Sequence, residues 1–225
     1  MLKAIIFDFD GTIIDTETAW YIAFRDSYKA HGVDLSVELY SGCIGTSLHT
    51  FNPYTHLNTH HNLSVDSDEL RKAVRARHTE LMKEEQLRPG VREYLKQARE
   101  AGLKLGLASS SDREWVERHL KQLGLYEFFD CIRTANDVDQ VKPDPALYLK
   151  ALEGLGVTAK EAVAIEDSPN GMRAAVAAGI DCVITPNRIT SLLEFEDSRW
   201  RVEDLGKLPF ADVVKSMAEP IQRSI

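Results

Sequence analysis

The 225-residue chain has little cysteine, no excess of positive charge, no long apolar run, no internal repeat and no low-complexity tract. Its three cysteines, Cys43, Cys131 and Cys182, show no CxxC spacing. Such sparse, odd usage does not build a disulfide scaffold and points to a reducing compartment. Lysine and arginine number 27 against 35 aspartates and glutamates, a formal net charge of −8. Binding of nucleic acid needs basic patches, so DNA or RNA is not expected as a partner. A small anionic substrate needs only local positive charge. No segment reaches the apolar length of a membrane span, so no membrane partner is expected. Residues 1–7 are apolar, but Asp8 and Asp10 fall where the core of a secretion signal would have to continue. A cytoplasmic protein is expected, and, with no extended hydrophobic seam, a monomer.

Hydrophobic residues make up 44% of the chain and charged residues 28%, enough apolar material for a core of ordinary size. Four short apolar runs stand out, at residues 4–9, 103–108, 162–165 and 182–185, with a weaker one at 131–134. Nearly continuous apolar runs of this length read as buried parallel strands. Helices with recognisable ends lie between them. Pro89-Gly90 opens residues 91–101 and Gly102 stops them. Ser111 or Asp112 caps 115–123, which Gly124 ends. Pro145 starts 146–155 before Gly156, and Ser168-Pro169 starts 170–178 before Gly179. Thr158 to Glu161 has the pattern of a capping box on a short turn. The alternation predicts an α/β fold, a doubly wound parallel sheet with a Rossmann-like core. Residues 15–86 break the rhythm: they are helical in pattern, clearest at 16–30 and 67–83, with no strand run. The expected organisation is a core of 1–14 and 87–225 carrying a helical insertion, 15–86, on two connections.

The strands point to chemistry at their ends. The first closes on Asp8-Phe9-Asp10-Gly11-Thr12. Ligands of open parallel sheets bind beyond the carboxyl ends of the strands, and two acids two apart on extended chain share a side. Gly11 allows a sharp turn and close approach to a ligand. Taken alone, the same residues could be a turn and a helix cap. The second run ends in Ser109-Ser110-Ser111, where hydroxyls and helix-start N–H groups can cradle an anion or simply cap the helix. Lys142 stands in Val141-Lys142-Pro143-Asp144-Pro145, able to point inward as a fixed charge, although most single lysines are solvated. The run from 162 ends in Glu166-Asp167-Ser168, hard oxygen ligands that suit Mg²⁺. Asp8, Asp10, Glu166 and Asp167 gather up to four negative charges at one edge and Lys142 offsets one. Such a cluster protonates unless a divalent cation joins it.

These residues, in this order, resemble the four motifs of the haloacid dehalogenase-like hydrolase superfamily, in its β-phosphoglucomutase-like branch with a helical cap. Asp8 to Thr12 are similar to the first motif, Ser109 to the second, Lys142 to the third and Glu166-Asp167 to the fourth. The likeness spans nearly the whole chain, with the cap inserted between the first and second motifs. It implies that Asp8 attacks phosphorus, and that Asp10 protonates the leaving oxygen and then activates water. It implies Mg²⁺ held by the Asp8 carboxylate, the Asp10 carbonyl and Asp167, with Glu166 assisting. Ser109, Lys142 and N–H groups near Asp10, Gly11, Thr12 and Ser110 would hold the phosphoryl oxygens. The expected function is a Mg²⁺-dependent phosphatase acting on a small phosphorylated metabolite, a sugar phosphate or similar compound, through an aspartyl-phosphate.

Two other readings compete. A sugar phosphomutase of the β-phosphoglucomutase type carries His where Trp20 stands and Arg where Leu48 stands, after the Gly45-Thr46-Ser47 turn, and both are replaced here. A receiver-like signalling module is much shorter, lacks the insertion and has no use for Asp10. Trp20 is a possible substrate contact; otherwise Trp20, Phe24 and Tyr28 form a packing stripe. His56, His60 and His61 cluster in the insertion without a third ligand of recognisable geometry.

Overall fold

Apolar runs bounded by turn residues become the strands of one sheet. The computed structural model describes residues 1–44, 51–196 and 200–217; the Gly45-Thr46-Ser47 turn and Leu48 lie outside them. The first elements are β1 (Ala4–Phe7), α1 (Thr16–Ala30), α2 (Val37–Ser41), α3 (His56–His61), α4 (Ser67–Met82) and α5 (Val91–Glu100). Next come β2 (Lys104–Ala108), α6 (Arg113–Gln122), β3 (Cys131–Arg133), α7 (Ala146–Leu155) and β4 (Ala162–Glu166). The last are α8 (Pro169–Ala177), β5 (Asp181–Ile184), β6 (Trp200–Arg201) and α9 (Phe210–Ser216).

The six strands form one parallel sheet in the order β3-β2-β1-β4-β5-β6. The expected α/β, doubly wound parallel sheet is therefore present. Strand β1 is central, and every residue from Ala4 to Phe7 is fully buried. Helices α7 and α8 contribute Leu147, Tyr148, Leu155 and Met172 to a core shared with Ile6 and Ala164. Strand order reverses between β1 and β4, which is where a sheet of this kind opens a crevice at its carboxyl edge. The two-residue β6 had no apolar run to announce it.

The helix ends follow local chemistry. Asp112, not Ser111, caps α6: its Oδ1 accepts the Trp115 N–H at 2.8 Å. Thr158 and Glu161 form the capping box, on a single 3-10 turn. Gly156 ends α7 at φ 63°, a left-handed conformation that favours glycine.

The chain divides into two units. One holds Met1–Ile14, Leu87–Pro186 and Phe195–Ile225; the other holds Asp15–Gln86 together with Asn187–Glu194. In the second unit α1 packs on α4, and Tyr21, Phe24, Tyr28, Leu57, Leu70 and Val74 bury an apolar cluster. Ile189, fully buried, belongs to that cluster. The helical unit therefore includes residues 187–194 in addition to the expected insertion, and the chain passes between units four times, at 14/15, 86/87, 186/187 and 194/195. Within this unit Trp20 lies flat on His78, with centroids 3.7 Å apart and planes at 11°. His56 stacks on His60 at 4.5 Å and meets His61 edge-on at 5.2 Å. These are ring contacts and not a ligand set. No helix among the described residues is long and apolar enough to cross a membrane.

Assignment of Ile189 to the helical cluster has a measurable consequence. Ile189→Ala should destabilise the helical unit by about 2–4 kcal/mol, the usual cost of emptying a buried aliphatic site. Amide exchange should accelerate in α1 and α4 while the sheet keeps its protection. Unchanged exchange in both helices would separate Ile189 from the cluster.

Candidate active site

The site grows from the sheet register. Phe7 pairs with Ile165, and the Asp8 N–H still donates to the Ile165 carbonyl at 2.9 Å. Asp8 is thus held beside Glu166 one step beyond the end of β1. Lys142, from the segment before α7, places Nζ 2.5 Å from Asp8 Oδ1 and 2.7 Å from Glu166 Oε1. The three side chains are 5%, 8% and 0% exposed for Lys142, Asp8 and Glu166, so all three charges lie out of water. Burial opposes the charge on Lys142, yet the two carboxylates hold its ammonium above the ordinary lysine range. Glu166 is pushed up by burial first and by Asp8 second, against the pull of Lys142 and the Tyr148 hydroxyl. Tyr148 donates to Glu166 Oε1 at 2.6 Å, and its ring lies 5.1 Å from the lysine nitrogen.

A cation would fit beside this pair. Asp8 Oδ2 is buried and has no hydrogen-bond partner among the described residues. Asp8, Glu166 and Asp167, all buried, offer carboxylate oxygens within 4.8 Å of one another, the only such triad of potential ligands among the described residues. Hard oxygens around an unsatisfied buried carboxylate suit a small divalent ion. The Thr12 hydroxyl lies 3.5 Å from Asp167 Oδ1, to which it donates. Gly171, in the first turn of α8, leaves room for the site: a Cβ there would fall on the Glu166 carboxylate.

Asp10 sits in a different environment. Its Oδ2 accepts from Ser111 Oγ at 2.7 Å and Ser109 Oγ at 3.3 Å, and its Oδ1 accepts from Trp115 Nε1 at 3.0 Å. Burial holds the Asp10 carboxyl above the usual range; the Ser111 bond opposes this, and Asp8 adds to it. Ser109 is fully buried and Ser110 exposed. Gly11 turns the chain at φ 86°. The Gly11 N–H donates to Ile14 O at 2.7 Å and the Thr12 N–H to Phe9 O at 3.3 Å. The Gly11 and Thr12 amides are thus engaged within the loop, and these two residues brace it. Arg88 braces it from outside, donating to the carbonyls of Gly11, Thr185, Pro186 and Glu203 at 2.5, 2.5, 2.9 and 3.1 Å.

The structure brings Asp8, Asp10, Ser109, Lys142, Glu166 and Asp167 to one edge of the sheet. Ser111 joins them there, and so do Trp115, Tyr148 and Arg88, which the sequence had not singled out. Tyr148 and Trp115 lie on helices, where an aromatic reads as packing. Ser111 was visible as part of the serine run after β2 and as one of two possible caps, but not as a partner of Asp10.

The crowding at Gly171 can be tested. Gly171→Ala should push the Glu166 carboxylate away from Lys142 and destabilise the chain by roughly 3 kcal/mol, the scale of breaking a buried ion pair. Urea denaturation of both chains measures this; an unmoved midpoint would show that α8 shifts to accommodate the methyl group.

Comparison with known proteins agrees with this geometry. The model of the haloacid dehalogenase-like hydrolase family matches residues 5–185. The candidate phosphatase YhcW of Bacillus subtilis (strain 168) is 46% identical over 211 residues, covering 94% of this chain and 96% of its own. Hexitol phosphatase B of Escherichia coli (strain K12) is 36% identical over 188 residues, 82% of this chain and 84% of its own. Among solved structures, a variant of CbbY from Rhodobacter sphaeroides in complex with xylulose-(1,5)bisphosphate superposes with a TM-score of 0.68 at 31% identity, covering 92% of this chain and 96% of that one. A parallel sheet with paired acids at the carboxyl edge of its central strand, and a family match running from β1 to the end of β5, place the chain in the haloacid dehalogenase-like hydrolase family.

Proposed function

We propose that this phosphoric monoester hydrolase cleaves a small phosphorylated metabolite, a sugar phosphate or similar compound, through an aspartyl-phosphate on Asp8, with Mg²⁺ as cofactor. One observation carries the reading. Two acids two residues apart are given opposite surroundings, Asp8 an ammonium and an unsatisfied oxygen, Asp10 only neutral donors. Two carboxylates in contrasting environments are suited to two different steps. The relatives named for hexitol phosphates and crystallised with a sugar bisphosphate support the substrate class.

In this reading an Asp8 carboxylate oxygen attacks phosphorus. The new bond is Asp8 Oδ to phosphorus, and the bond to the leaving oxygen breaks. Asp10, protonated, passes its proton to that oxygen. Asp10, now a carboxylate, takes a proton from water as the water oxygen attacks the same phosphorus, and the bond to Asp8 breaks to free inorganic phosphate. Lys142 and Ser109 face the phosphoryl oxygens, where fixed positive charge and a hydroxyl donor offset the charge that spreads there. Asp8, Glu166, Asp167 and the Asp10 carbonyl would hold Mg²⁺, which when bound neutralises phosphoryl charge. Ser110, exposed at the start of the next loop, is a further donor. The helical unit is read as the cap of the family.

Asp8→Asn should lower kcat for 4-nitrophenyl phosphate with Mg²⁺ by at least about a thousandfold, with an unchanged circular dichroism spectrum. Turnover of the wild-type chain should also stop in excess chelator and return with added Mg²⁺. Near wild-type turnover by the Asn variant would remove Asp8 as nucleophile. Incubated with sugar phosphates, the enzyme should release inorganic phosphate; an isomeric sugar phosphate formed without phosphate release would indicate a mutase, and a single stoichiometric phosphorylation a receiver.

A further inference from the structure

Asp10 lies three residues beyond the end of β1, on a loop, so the sheet register that fixes Asp8 does not orient its carboxylate. Two of its three side-chain partners are serine hydroxyls, which rotate and can donate or accept. The third is the Trp115 indole N–H, which can only donate and which belongs to a rigid ring.

We propose that Trp115 is a positioning residue for the reaction: its indole N–H fixes one oxygen of Asp10, so that the carboxyl group presents a defined edge to the leaving oxygen. The inference rests on the acid role given to Asp10 above. The indole is itself held. Its backbone N–H is bound by the Asp112 cap, which sets the first turn of α6. One turn on, the buried His119 ring lies 4.0 Å from the indole, tilted by 50°. The His119 Nδ1 is 2.7 Å from the Trp115 carbonyl, which ties the imidazole to the same turn. The Arg118 guanidinium lies 5.4 Å from the indole ring. Phe9, the residue between the two acids, meets His119 at 6.2 Å. The rings of Phe9, His119 and Trp115 thus link the loop that carries Asp10 to the helix that holds its oxygen. Turning the carboxylate over, exchanging Oδ1 and Oδ2, would bring a second oxygen to the same N–H but would first break this bond and both serine bonds. Packing alone does not account for the contact: the indole is only partly buried, and its polar atom is the one aimed at Asp10.

Leaving groups provide the test. A good leaving group departs without a proton, whereas a poor one needs the acid. Trp115→Phe keeps a ring for His119 and removes only the N–H. On phenyl phosphate, a poor leaving group, kcat/KM should fall about tenfold; on 4-nitrophenyl phosphate it should fall less than about twofold. Ser111→Ala should steepen the dependence in the same way. Equal losses on both substrates would make Trp115 a packing residue, and no loss on either would leave it without a role. Asp10→Asn is the control. If it shows no added dependence on the leaving group, the acid role fails; if it does and Trp115→Phe does not, the positioning role alone fails. A second measurement does not need the Phe variant to fold. The chain has three tryptophans, and one indole N–H resonance should move in Asp10→Asn. A set of three unmoved resonances would overturn the proposal.

Discussion

The ammonium of Lys142, buried between Asp8 and Glu166, is the interaction on which the site depends. Parallel pairing of β1 with β4 brings these two carboxylates side by side at the edge of the sheet. Neither has water to share its charge with. Left to themselves, two buried acids at this spacing would lose one charge to protonation. The Lys142 ammonium, at 2.5 and 2.7 Å, opposes that loss, while burial and Asp8 still push Glu166 up. Other features of the site follow from placing it: the Tyr148 hydroxyl on the same Glu166 oxygen, the missing side chain at Gly171, and the full burial of the strands that lead into the cluster.

The neighbouring acid is built on a different principle. Asp10 receives hydrogen bonds from two hydroxyls and an indole, all neutral, and burial holds its carboxyl above the usual range. A group so placed can exchange a proton more readily than one locked against an ammonium. The separation arises within three residues because the chain leaves the sheet after Phe7. Asp8 inherits the geometry of β1, and Asp10 takes its surroundings from the loop after β2 and the first turn of α6.

Much of this was legible in the sequence, for identifiable reasons. Strands β1, β2, β4 and β5 are buried on both faces, so their apolar runs are continuous, and the acids that interrupt them mark the edge. Strand β6 has two residues and no such run. The capping alternatives at Ser111 and Asp112 were both visible; only three-dimensional placement shows that Asp112 caps α6 while Ser111 turns to Asp10. Tyr148 and Trp115 could not be read, because an aromatic on a helix gives the same pattern whether its polar atom is used or not. The amides of Gly11 and Thr12 donate within the loop, to Ile14 and Phe9, a turn geometry that the sequence pattern alone does not specify. Residues 187–194 carry too weak a pattern to reveal that Ile189 serves the helical unit.

That last feature bears on how the chain is made. Most of the helical unit is an insertion by sequence, residues 15–86, and is made before most of the sheet. Its apolar cluster nevertheless lacks Ile189 until synthesis has passed β5. Strand β1 waits in a similar way, since β2 and β4, which flank it, are both made after the insertion. Domains that are contiguous in sequence can fold one after another as they emerge. Here neither unit has all its residues until synthesis has passed β5. A nascent chain stalled before residue 187 would lack the buried isoleucine that completes the helical unit's apolar cluster.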